Sequence, residues 1–208
     1  MKKVGHMFFC VLSTLLLVSC GTSPDTPLNN ADLSDKYIIQ TPLYQIYEES
    51  LQKYRYKIGS DQKTFAEGTE NGTEPEIEEI DDGIVRLHMG FGTNAFSVQY
   101  FDIWNDRTSV VFSPFAIYAD YVNPKTKECL IAYFEYDATS EKYILTVKDI
   151  FNEKGFSTKI DKDFSSGTCN ELVILNESEI YVDYAALSGS NLGKSAEFES
   201  VRDVIRFR

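Results

Sequence analysis

Gly83-Ile-Val-Arg-Leu-His-Met89 is where the chain settles into a period of two. Val85, Leu87 and Met89 alternate with Arg86 and His88, so one side of this segment is apolar and the other polar. Alternation of that kind marks a half-buried strand, because successive side chains leave opposite faces of a pleated backbone. The same rhythm returns at once. Phe96, Val98 and Tyr100 alternate with Ser97, Gln99 and Phe101.

Further along, the run from Ser109 to Val122 is interrupted by Pro114, which suits an edge strand or a bulge. Leu130 to Tyr136 is continuous and aromatic, and Asp137 to Lys142 makes a polar turn. Tyr143, Leu145 and Val147 oppose Ile144, Thr146 and Lys148. Asn152-Glu-Lys-Gly155 reads as a hairpin loop with Gly155 in the left-handed position, after which Phe156 to Ile160 returns antiparallel. Leu172 to Leu175 and Ile180 to Leu187 flank another short turn, and a last strand lies within Phe198 to Phe207. Eight or nine short strands joined by tight turns predict a mainly β domain over 83–208, an antiparallel sandwich or curled meander. The rhythm is similar to propeller blades, but at about 40 residues each this stretch makes only about three.

Upstream the reading changes. Glu67, Glu70, Glu74, Glu76, Glu78, Glu79, Asp81 and Asp82 occur with no Lys or Arg among them, and Gly68, Gly72 and Pro75 punctuate the run. Self-repulsion predicts an acidic loop over 59–82. Before it, Thr41-Pro42 has the form of an N-cap followed by proline at the first helical position. Leu43, Ile46, Tyr47, Leu51 and Tyr54 follow at helical spacing, which predicts one amphipathic helix within 41–58. Tyr54 to Ile58 also alternates, so the end of that segment fits a strand as well. Residues 20–40 are rich in Ser, Thr, Pro, Asn and Asp and read as a tether reaching on the order of 25 Å as a coil.

The first twenty residues are of another kind. Lys2 and Lys3 precede an apolar stretch from Met7 to Val18 that is too short to cross a hydrocarbon core as a helix. It closes on Leu17-Val18-Ser19-Cys20, which resembles the lipobox of bacterial lipoprotein precursors. The resemblance implies removal of 1–19 as a signal peptide and lipidation of Cys20. It also implies a place on a bacterial membrane facing away from the cytoplasm. Gly21 follows the cysteine instead of the Asp of an inner-membrane retention signal, which implies the outer membrane in a cell that has two. In a cell with one membrane the same signal implies its outer face. Two or more acyl chains hold a protein stably where one is marginal.

Export constrains the rest. Asn71-Gly-Thr73 and Asn176-Glu-Ser178 match the eukaryotic glycosylation sequon but read as turns in a bacterial lipoprotein. The chain has 32 acidic against 20 basic residues, a formal charge of −12, and loses Lys2 and Lys3 with the leader. Such a surface disfavours nucleic acid and anionic headgroups. After removal of Cys10 and lipidation of Cys20, Cys129 and Cys169 remain. Two cysteines in an oxidising compartment predict a disulfide, with a buried thiol as the alternative at Cys129.

Candidate chemistry is sparse. Ser188-Gly-Ser-Asn-Leu-Gly-Lys194-Ser195 is one glycine short of a phosphate-binding loop and has only thirteen residues after it, so a Gly/Ser hairpin explains it and no nucleotide is expected. Asp161, Asp163 and Ser165 are spaced as the start of a calcium loop, but position 166 is Ser, position 172 is Leu, and Glu171 comes one residue early. A surface turn is the default there and a nonstandard calcium site the alternative. His88 is the one histidine outside the leader, which excludes a two-histidine zinc site within one chain, and it reads as a solvated strand residue. Carboxylates are too numerous for spacing to select a catalytic pair. The expected function is a lipid-anchored envelope binding module for a protein, an inhibited toxin or enzyme, or a glycan. The alternative is an extracytoplasmic carboxylate-dependent hydrolase, with calcium as its conceivable helper.

Overall fold

Every period-two segment forms a strand, and so does the stretch before them. The computed structural model describes residues 36–90, 96–162, 164, 169–188 and 197–208. Within these, fifteen strands make four antiparallel meanders in chain order. Sheet one holds β1 (Lys36–Gln40), β2 (Tyr44–Ser50), β3 (Lys53–Gly59) and β4 (Thr64–Asn71). Sheet two holds β5 (Glu76–Asp81), β6 (Ile84–Gly90), β7 (Phe96–Asp102) and the short β8 (Arg107–Thr108). Sheet three holds β9 (Tyr118–Val122), β10 (Cys129–Asp137), β11 (Lys142–Asp149) and β12 (Ser157–Ile160). Sheet four holds β13 (Cys169–Ile174), β14 (Glu179–Ser188) and β15 (Glu197–Arg206).

The expected helix over 41–58 is a β-hairpin. Thr41 caps a turn, not a helix: its Oγ1 accepts from the N–H groups of Leu43 and Tyr44 and donates to the Tyr44 carbonyl. Leu51, counted on the apolar helical stripe, is 88% exposed at the hairpin tip. Gln52 beside it takes a left-handed φ of 57°. Period two wins because Tyr56 and Ile58 then share a buried face with Ile46, opposite Arg55 and Lys57.

The expected acidic loop over 59–82 holds β4 and β5. Glu67 on β4 and Glu76 and Glu78 on β5 take positions alternate to Ala66 and Ile77, which face the core. Gly68 serves packing inside β4, because a Cβ there would sit 2.5 Å from the Tyr56 hydroxyl. Repulsion is relieved by cations on neighbouring strands: Glu78 pairs with Arg86 and Asp81 with Lys127. In the Asn152–Gly155 turn, Gly155 is not in the left-handed region; its lack of a Cβ lets Asn152 pack 2.9 Å from where one would stand.

Three shared cores join successive sheets face to face. Ile46, Tyr56 and Ile58 of sheet one meet Val85, Leu87 and Phe101 of sheet two. Val98 and Tyr100 of sheet two meet Ile131 and Tyr133 of sheet three. Leu130, Ala132 and Phe134 on the other face of β10 meet Leu172, Val182 and Ile205 of sheet four. The alternation of β10 thus supplies two cores at once, which is why Cys129 to Phe134 is apolar without a break.

Sheets two and three also end their third strands alike. Asp102-Ile-Trp-Asn-Asp-Arg107 and Asp149-Ile-Phe-Asn-Glu-Lys154 share a pattern, and in each the aspartate accepts from backbone N–H groups of the turn. Arg107 of the first turn lies over Phe151 of the second, 4.6 Å from the ring centre.

Candidate functional site

The polar half of the face between sheets two and three is the chemically richest place among the described residues. It arises from the Asp82-Gly83 hairpin, where Gly83 takes a φ of 74° beneath the Trp104 ring. That turn sets β5 against β6 so that Glu76 lies opposite His88 and Glu78 opposite Arg86. All four leave the face away from Ile77, Val85 and Leu87, toward sheet three. Tyr118 and Asp120 of β9 come to meet them.

Arg86 is the hub. Its Nη1 donates to Asp120 Oδ2 at 2.6 Å and its Nη2 to Glu78, while the guanidinium lies 5.7 Å from the Tyr118 ring centre. Tyr100, fully buried, donates its hydroxyl to the same Asp120 oxygen at 3.0 Å. Burial disfavours the Arg86 charge, but Asp120 beside it outweighs this and holds the group above its ordinary value. Burial pushes the Tyr118 phenol up to about 12, with Asp120 adding to the shift and Arg86 opposing it. Burial, reinforced by Asp120, holds Tyr100 well above the usual phenol value. Both phenols are therefore hydrogen-bond donors at neutral pH.

His88 is not the solvated residue expected. Its Nδ1 sits 2.5 Å from Glu76 Oε2, and the ring packs edge-to-face on Phe96 at 4.8 Å and against Tyr118 at 6.0 Å. A carboxylate can only accept, so Nδ1 carries the proton in that bond. Nε2 is enclosed and has no hydrogen-bond partner among the described residues. The polar groups border two clefts. One, of about 320 Å³, is lined by Glu76, Ile77, Glu78, Arg86, His88 and Tyr118. The other, of about 280 Å³, shares Glu76 and His88 and extends to Glu70, Glu74 and Met89.

No known family, curated protein or solved structure matches this chain.

The sites expected from sequence lie elsewhere. The predicted Cys129–Cys169 disulfide is absent, and both are free thiols. Cys129 packs in the core between sheets two and three, whereas Cys169 packs against the core between sheets three and four, so sheet three separates them. Burial pushes the Cys129 thiol up to about 12 and the Cys169 thiol up to about 11. Of the calcium candidates, Asp161 is exposed beyond β12 and Glu171 is exposed on β13, while Asp163 and Ser165 lie outside the described residues. Cys20 and residues 189–195 of the phosphate-loop look-alike also lie outside them. Asn71 is the last residue of β4, and Asn176 lies in the turn between β13 and β14.

Sequence reading missed Arg86 and its partners. A signal was present: Glu76 and Glu78 at period two, then Asp82-Gly83, then Arg86 and His88 at period two. Folded about Asp-Gly as a hairpin, that pattern places opposite charges on one face.

Proposed function

We propose that this chain is a lipid-anchored cell-envelope protein whose β-domain binds a partner, and that the Glu76–Arg86–His88 cleft is its recognition site. One observation carries the reading. The two carboxylates, the guanidinium and the imidazole that line this cleft are held in pairs: Glu76 by His88 and Glu78 by Arg86, which Asp120 also engages. A general acid or base must present an ionising atom to its substrate. Here Nδ1 of His88 is engaged and Nε2 is enclosed. A preorganised set of paired charges around a small cleft suits recognition, because binding does not first require the side chains to be ordered.

The rim is acidic, with Glu76 and Glu78 largely exposed, which favours a basic group on the partner. The test is turnover. Purified full-length protein with Cys20→Ala should hydrolyse ester, glycoside and peptide substrates no faster than its Glu76→Gln and His88→Gln variants. Hydrolysis that either variant abolishes, with the fold intact by circular dichroism, would overturn the binding reading in favour of a hydrolase.

A further inference from the structure

The outer face of sheet one carries a different and unexplained chemistry. Sheet two covers one face of β1–β4 through the first shared core. On the other face β3 presents Lys53, Arg55 and Lys57 in alternate positions, away from the buried Tyr56 and Ile58; Lys53 pairs with Glu49, and Glu67 of β4 stands opposite Lys57. Register places Tyr37 beside Tyr47 and Tyr47 beside Arg55, with Gln45 beside Lys57 in the next row. Tyr37 is half exposed and meets Tyr47 edge-on at 5.4 Å, and Arg55 lies 5.3 Å from the centre of the Tyr47 ring.

Arg55 stands apart from the other arginines. All six lie within the described residues, and five of them bond a carboxylate: Arg86, Arg107, Arg202, Arg206 and Arg208. Arg55 bonds none there, although acidic residues outnumber basic ones 32 to 20. Lys57 likewise forms no ion pair among the described residues. It lines a polar cleft of about 330 Å³ together with Gln40, Thr41, Gln45, Ser60 and Asp61.

We propose that this face binds an acidic polysaccharide, a sugar chain bearing carboxylates. Arg55 and Lys57 receive the carboxylates, the Tyr37–Tyr47 rings support the sugar's apolar faces, and the amides and hydroxyls of the cleft take its hydroxyl groups. A narrow chain lying along the row meets local charge only, since fields are screened within roughly 8 Å at physiological salt. An anionic membrane would approach the whole acidic molecule and be repelled by it.

The inference deepens the binding-module reading and rests on it, but it uses a different surface, so the two can fail separately. The experiment titrates full-length Cys20→Ala protein with polygalacturonate, a sugar polymer with one carboxylate per ring. Dextran, polyglutamate and vesicles containing anionic phospholipid serve as comparisons. The expected result is binding to polygalacturonate at least about tenfold tighter than to any of the three. Arg55→Gln and Tyr47→Ala should each weaken it by about fivefold or more, and Arg206→Gln on sheet four should leave it unchanged. Unchanged melting temperatures keep the variants interpretable, and Tyr47→Phe, which retains the ring, should bind like the parent. Failure to bind polygalacturonate, indifference to Arg55→Gln, or equal binding of polyglutamate or vesicles would each overturn the proposal.

Discussion

Arg86 on β6 and Asp120 on β9 join two different sheets through a 2.6 Å hydrogen bond in a half-buried setting. Breaking one partner of such a pair leaves the other charge without compensation, which costs more than the pair itself contributes. Arg86→Met should therefore destabilise the domain by about 3 kcal/mol in urea unfolding. The double variant Arg86→Met/Asp120→Leu should recover a large part of that loss. Additive losses would mean that the two residues do not act together.

The hairpin that replaced the expected helix makes a prediction of opposite sign for the two structures. Gln52 holds a φ of 57°, where a non-glycine residue is strained. Gln52→Gly should stabilise by about 0.5–1 kcal/mol. Inside a helix the same change would cost about 1 kcal/mol, so the sign of the shift in denaturation midpoint decides.

The two thiols give a chemical check. With Cys129 pushed up to about 12 and Cys169 up to about 11, neither is a thiolate at neutral pH. Native protein should react slowly with a disulfide reagent, and unfolding should release both thiols rapidly. Mass spectrometry of non-reduced peptides should find Cys129 and Cys169 unlinked.

Acid should loosen the C-terminal end. Arg208 forms two hydrogen bonds to Glu128, at 2.9 and 2.5 Å, and these hold the Glu128 carboxyl below its ordinary value of 4.5. A carboxyl with a lowered folded pKa adds stability above its unfolded value, and that stability is lost as pH falls through the folded one. Unfolding free energy should thus drop below about pH 4.5, and Glu128→Gln should flatten that part of the profile. An unchanged acid limb in the variant would remove Glu128 from the account.

Cys20 lies outside the described residues, and its lipidation is tested in cells. Metabolic labelling with a fatty acid should mark the parent and not Cys20→Ala, and the variant should leave the membrane fraction. Retention of the unlabelled variant in the membrane would contradict the anchor.

The β character beyond Gly83 was legible because alternation there is uninterrupted and each turn is marked by polar residues. The segment before it was not, for two physical reasons. Leu43, Ile46, Tyr47, Leu51 and Tyr54 satisfy a helical stripe by coincidence, and only the pairing of β2 with β3 shows that Tyr47 and Leu51 leave the core. The acidic run looked too charged to fold because its neutralising partners lie far along the chain, Asp81 on Lys127 among them. The candidate site depended on the same long-range register. Glu78 and Arg86 could have been paired through the Asp82-Gly83 turn, but the approach of Asp120 and Tyr118 from β9 leaves no local trace.

The most direct test places a photo-activatable cross-linker at position 78, on the exposed rim of the cleft, in intact cells. Position 171 on sheet four serves as the control. A discrete adduct that forms from position 78 and not from position 171 is the predicted result. No adduct from position 78, or the same adducts from both positions, would contradict the assignment of the Glu76–Arg86–His88 cleft as the recognition site.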